Sequence, residues 1–101
     1  DWDDDDFLIV EYSFDGSTFT PFFAIENDGS AFNEAPLIDT DLDGDGDGAE
    51  ITETFTEYSA SFVNDPVTNP GASSTVTIRI RMRVDAGDED IAIDNITISG
   101  I

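Results

Sequence analysis

The sequence predicts an all-β fold, an antiparallel sandwich of the jelly-roll type, from three observations. Apolar and polar residues alternate with period two over several short stretches. Clusters of Asp-Gly, Asn and Pro separate those stretches, and no segment carries helical periodicity over three turns. Such a chain buries its apolar faces by stacking sheet on sheet. At 101 residues it has room for one core, so residues 1–101 read as a single domain.

The first strand is expected over Phe7–Phe14, with Leu8, Val10, Tyr12 and Phe14 alternating on one face. Asp15-Gly16 favours positive φ and a tight hairpin. Phe19–Ile25 is the return strand, and Pro21 marks it as an edge or an irregular start. Residues 26–50 are dense in Asn, Gly, Asp and Pro and read as one long loop, whose length in so small a domain calls for a reason to be ordered.

Ile51–Val63 returns to strand character, with Ile51, Glu53, Phe55 and Glu57 on one face and Tyr58, Ala60 and Phe62 on the other. The phase change near Glu57 implies a bulge or two shorter strands. A polar loop, Asn64–Ser74, leads to the most regular strand, Thr75–Val84. There Val76, Ile78, Ile80, Met82 and Val84 point inward and Arg79, Arg81 and Arg83 outward. Asp85–Asp90 is an acidic turn, and Ile91–Ser99 closes the sheet with a slip at Asp94-Asn95.

Composition narrows the function classes. Hydrophobic residues make up 39% of the chain, including eight Phe, too many for a disordered acidic tail. Against them stands a formal charge of −21, from 24 acidic residues and three Arg. Repulsion on that scale opposes a compact state unless divalent cations or high salt offset it. With no basic patch to displace counterions, nucleic acid and anionic membranes are poor partners. No run is long and apolar enough for membrane insertion. Cysteine is absent, so disulfides report nothing about the compartment.

The run Asp39–Glu50 (DTDLDGDGDGAE) places oxygens at positions 1, 3, 5, 9 and 12 of a twelve-residue loop, with Gly44 at position 6. This is the ligand spacing of an EF-hand loop: Asp39, Asp41, Asp43, the carbonyl of Asp45, Asp47 and Glu50 around a hard cation. Calcium takes six to eight oxygens at about 2.3–2.6 Å, and alternate residues supply them as the chain curls. Magnesium prefers rigid octahedral sites and suits the loop less well. Gly46 stands at position 8, where EF-hands carry an apolar residue, and strand-like sequence rather than a helix follows Glu50. A second register, from Asp41 to Glu53 with Gly46 at the turn, also fits. The competing account is a solvated Asp/Gly linker.

Two further acidic clusters, Asp3–Asp6 and Asp85, Asp88, Glu89 and Asp90, reach one rim if the first strand pairs antiparallel with Thr75–Val84. Asp5, Asp6, Asp88, Asp90 and Asp94 are candidate ligands of a second ion there. Solvated aspartates, and a bulge in which Asp94-Asn95 bonds backbone, are the alternatives. The Arg stripe is read as cross-strand pairing with Glu11, Glu53 or Glu57. The other reading of the stripe is a surface for an acidic partner.

Nothing points to catalysis. The chain has no His, Cys or Lys and no Gly-x-Ser-x-Gly elbow. Acid pairs are inevitable among so many carboxylates. Aromatic residues that could stack on a sugar are Trp2, Phe22, Phe23 and Phe32, of which Trp2 and Phe32 are expected to be the most exposed.

The segments Val10–Ser13, Asp15-Gly16, Thr77–Val84 and Ile93–Asn95, with the acidic loop between them, resemble the C-terminal part of jelly-roll modules in large secreted bacterial proteins. Those modules are similar in outline to MAM-type and carbohydrate-binding-module-type sandwiches. The resemblance covers most of the chain and implies the fold and an extracellular setting; with the acidic loop and the lack of catalytic groups, the expected function is a non-enzymatic, calcium-binding module for adhesion or glycan binding. Its partners would be calcium and a polysaccharide. Such modules begin with further strands upstream of Trp2–Asp6, so a piece of a longer protein, or an open sheet completed by another copy, is expected. The second option leads to the alternative of a filament or surface-layer subunit assembled by strand addition.

Overall fold

The computed structural model describes residues 2–30 and 34–100. Among them β1 (Phe7–Ser13), β2 (Thr20–Glu26), β3 (Leu37–Ile38) and β4 (Thr77–Arg83) form one antiparallel sheet in the order β3-β2-β1-β4. The architecture is all-β, with no helix among the described residues.

β1 is central because its sequence serves both faces. In the ladders Leu8 stands opposite Ile25 and Met82, and Val10 opposite Phe23 and Ile80, so one face is apolar. On the other face Glu11 stands opposite Arg79, and Ile9 opposite Arg81. The β1–β2 turn is held by Asp15, whose Oδ1 accepts from Ser17 N at 2.8 Å and Thr18 N at 2.7 Å. Gly16 supplies the positive φ that this turn requires. The β1–β2 register slips between Val10, opposite Phe23, and Glu11, opposite Pro21, leaving Phe22 as the extra residue beside that irregular proline.

The core is small. Trp2, Leu8 and Ile25 are buried, with Val10, Phe23, Ile51, Ile80, Val84 and Ile91 packed around them. Trp2, expected to be exposed, is only 2% accessible. Its backbone pairs with Glu34 (Trp2 N to Glu34 O, 2.8 Å), and Asn27 Nδ2 donates to its carbonyl at 2.7 Å. That fixes the ring over the apolar face and removes Trp2 as a sugar platform. Phe32, the other aromatic expected to be exposed, lies outside the described residues.

Two of the expected strands are not paired. Residues 51–63 and 91–99 carry no ladder, so a second sheet is not formed among the described residues. Each segment enters the core at its first apolar residue, Ile51 or Ile91, and then leaves it. Phe55, Ile96 and Ile98 are 73%, 62% and 69% exposed. Met82, expected to face inward, is 47% exposed, because no second layer covers its end of β4. Two rings of the first segment return to the sheet: Tyr58 meets Phe23 at 6.2 Å, and Phe62 stacks on Tyr12 at 4.2 Å and 8° and meets Phe22 edge-on at 5.0 Å. The radius of gyration, 14.7 Å, exceeds the roughly 13 Å of a compact chain of this length, in keeping with these open segments.

The stretch expected as one long loop is broken by β3. Ile38 pairs with Ile25, and Leu37 with Glu26. This short edge strand carries Asp39 directly off the sheet and gives the acidic loop a rigid base.

Candidate metal centre

Asp39 is buried at the root of the loop, and the backbone wraps around its carboxylate. Oδ1 accepts from Leu42 N at 2.7 Å, and Oδ2 from Gly44 N at 3.0 Å. The sharp bend that permits this falls at Gly44, with φ +107°, and at Leu42, with φ +60°. Gly46 has no positive φ; it is packed against the sheet and donates to Asn27 O at 2.7 Å. Of the two glycines considered for the turn, Gly44 is the one with the positive φ.

Carboxylate oxygens of Asp39, Asp41 and Asp43 lie within 4.8 Å of one another. The remaining residues of the spacing point elsewhere. Asp47 Oδ1 closes the loop base by accepting from the amide and hydroxyl of Thr40, both at 2.7 Å. Those Thr40 bonds hold its pKa below the ordinary value. The side chain of Asp45 lies against Gly29, and its amide donates to Asp43 Oδ1 at 3.0 Å. Glu50 forms a backbone bridge to Leu37 at the sheet edge.

The structure adds one residue to this group, Glu26. It ends β2 opposite Leu37, beside Asp39, and is buried. Burial, then the hydrogen bond and charge of Asp39, push its pKa up to about 7. Burial also works against the charge of Asp39. The Glu26 carboxyl and the amides of Gly44, Leu42 and Asp43 outweigh it and hold Asp39 below the ordinary value. Of the two, Glu26 is therefore the carboxyl that holds a proton more readily.

At the same end of the strands, one position further across the sheet, Phe7 stands between Glu26 and Arg83, so the residues before β1 meet the turn after β4. Two groups of carboxylates come within the same 4.8 Å: Asp3, Asp6 and Glu89, and Asp5, Asp6 and Asp85. Asp5 and Asp6 were expected here. Asp88, Asp90 and Asp94 do not join either group; Asp3, Asp85 and Glu89 do. Asp94 Oδ1 instead accepts from the amide of Asn95, which has φ +56°; without a ladder here, the bulge expected at this pair is not formed. The Arg stripe is consumed by pairing: Arg79 and Arg81 bond Glu11, and Arg83 pairs with Asp5 and Asp85. Glu53 and Glu57 take no part.

Among the described residues, two buried side-chain oxygens lack a hydrogen-bond partner: Glu26 Oε2 and Asp6 Oδ1. They fall one in each acidic cluster. Buried polar atoms without partners are few in native proteins, and each calls for an explanation. An oxygen-preferring cation would supply one, and the converging donors are all carboxylates, which suit a hard cation.

Beside the loop, a cleft of about 420 Å³ opens between Leu42 and the aromatic side chains of Tyr12, Phe22 and Phe62, with Asn69 at its edge. No helix of the described residues is long and apolar enough to cross a membrane. Comparison with protein-family models, curated proteins and solved structures finds no match.

Proposed function

We propose that this chain is a non-enzymatic, calcium-stabilised module acting outside the cell in adhesion or glycan binding. The observation that carries the reading is the convergence of Asp39, Asp41 and Asp43 beside the partnerless Glu26 Oε2. Calcium held by Asp39, Asp41, Asp43 and Glu26 would supply charge neutralisation. It would displace the Glu26 proton, cancel repulsion in a chain of charge −21 and fix the loop on β3. Millimolar calcium outside cells saturates even weak sites, which favours an extracellular setting. The aromatic cleft beside Leu42 is the surface we assign to a sugar ligand, because apolar walls with a polar group at the edge suit a pyranose.

The test is the thermal midpoint of the metal-free chain with and without calcium. Calcium at 100 times its dissociation constant contributes about 2.7 kcal/mol, which corresponds to a rise of roughly 10–20 °C at this chain length. A midpoint that calcium leaves unchanged refutes the reading.

The second reading, a filament or surface-layer subunit, is favoured by the two unpaired apolar segments. Residues 51–63 and 91–99 would form the second layer of a sandwich if strands of another copy paired with them. Sedimentation and electron microscopy in calcium separate the readings: fibres support the subunit, a monomer the module.

A further inference from the structure

We infer that the rim where β1 begins and β4 ends is a second cation site, built by Asp3, Asp6 and Glu89 and suited to calcium. Their carboxylate oxygens converge within 4.8 Å, but proximity of acids is not by itself a site. The independent observation is Asp6. It is 2% exposed; its Oδ2 accepts from Asp3 N at 2.7 Å, and its Oδ1 is buried with no partner. Leaving a carboxylate oxygen dry and unpaired costs more than one hydrogen bond returns. Asp6 is shared by both carboxylate groups of the rim, so a cation there meets that oxygen's need and the repulsion of its neighbours together.

Arg83 shows which acids are still to be neutralised. Its guanidinium pairs with Asp5 at 2.6 Å and with Asp85 at 3.4 Å. That supplies the outer acids of the Asp5, Asp6, Asp85 group with an internal counterion. Among the described residues no Arg reaches Asp6 or Glu89. Glu89 is also held ready: its Oε2 accepts from Asp85 N at 2.9 Å and Ala86 N at 2.7 Å, which fixes the 4%-exposed carboxylate at the rim. Bound ion would tie the segment before β1 to the turn after β4, clamping the Phe7–Arg83 end of the ladder. This site shares no residue with the loop centre and does not depend on it.

The experiment is calorimetric titration of calcium into the metal-free full chain and its variants. The wild type should take two ions, Asp39→Asn one, Asp6→Asn one, and the double variant none. Asp3→Asn keeps both backbone hydrogen bonds of the Asp3–Asp6 turn, so it reports even if Asp6→Asn does not fold. It should weaken one binding step about tenfold or more and leave the other unchanged. If Asp39→Asn changes nothing while Asp6→Asn or Asp3→Asn removes or weakens a step, the rim site stands and the loop reading fails. A wild type with one step that Asp39→Asn abolishes overturns the rim site. Unaltered binding in Asp3→Asn overturns it as well.

Discussion

Glu11 stands opposite Arg79 across the β1–β4 ladder and holds two guanidinium groups at once. Its Oε1 accepts from Arg79 Nε at 3.2 Å and from Arg81 Nε at 2.6 Å, and its Oε2 from Arg79 Nη2 at 3.3 Å. The carboxylate is buried while both Arg remain partly in water, and Arg79 also lies over the Phe19 ring at 3.7 Å. Removing the buried partner breaks a charge-assisted network that joins two strands. Glu11→Ala should cost about 1–3 kcal/mol in chemical denaturation, less than a fully buried pair because the Arg side chains stay hydrated.

The same carboxylate gives a pH dependence of known sign. Burial raises the pKa of Glu11, but the hydrogen bonds and charges of Arg81 and Arg79 outweigh it, and the folded value lies below the ordinary 4.5. A group whose folded pKa is depressed stabilises fully above its unfolded pKa and loses that contribution as pH falls through the folded value. The stability gap between wild type and Glu11→Gln should therefore be constant above about pH 5 and close on further acidification. A gap that widens in acid contradicts the assignment.

This pairing was legible in the sequence, because Arg alternation on one strand and Glu11 on another leave few partners in so acidic a chain. The meeting of the Asp3–Asp6 and Asp85–Asp90 segments followed from the same pairing of β1 with β4. Individual rim members were not legible: a turn after Arg83, closed by Glu89 N donating to Ala86 O, folds Glu89 inward where simple counting favoured Asp88 and Asp90. Glu26 was missed because β3 has only two residues, too short for any period to mark, and without β3 nothing places Glu26 beside Asp39. The expected strands at 51–63 and 91–99 fail for a different reason. Alternation reports what a segment could pair with, and neither finds a ladder partner among the described residues.

Gly46 tests how firmly the loop is seated. A Cβ there would lie 2.5 Å from the Glu26 carbonyl oxygen and 2.7 Å from Leu37 Cβ, both parts of the sheet that cannot swing aside. Gly46→Ala should destabilise by about 1–3 kcal/mol and weaken calcium binding, since the loop must lift off β2 and β3. Gly44→Ala meets no neighbour, and its cost comes from its positive φ alone. Equal calcium affinities for the wild type and Gly46→Ala would show that the loop's seat does not matter to the ion.

Asp39 has two separable duties, capping the loop backbone and offering charge to an ion. Asp39→Ala removes the acceptors for Leu42, Asp43 and Gly44 amides and should cost about 1–2 kcal/mol even in chelator. Asp39→Asn retains one carbonyl acceptor and should cost less there. In calcium the two variants should behave alike, both losing the part of the rise in thermal midpoint that the loop ion supplies. An Asp39→Asn variant that calcium still stabilises as it does the wild type would assign the loop a purely structural aspartate.

Phe62 decides what holds the unpaired 51–63 segment to the sheet. Between Ile51 and Phe62 the chain carries no ladder, so the stack on Tyr12 and the edge contacts with Phe22 and Phe14 are its far anchor. Asn69 adds a second tie, donating from Nδ2 to Val63 O at 3.1 Å and to the Tyr12 hydroxyl at 3.2 Å. Phe62→Ala removes the aromatic anchor and should cost about 1–3 kcal/mol, below the full range for a deeply buried Phe because this ring is only half-buried. Loss of an anchor is local before it is global. Limited proteolysis should therefore cut between residues 52 and 61 several times faster in the variant, while β1 and β2 stay protected. The same substitution removes one wall of the aromatic cleft and should abolish retention on a polysaccharide column without altering calcium affinity. Unchanged cleavage between residues 52 and 61 would mean that Ile51, the Tyr58–Phe23 contact and the Asn69 bonds suffice to hold the segment.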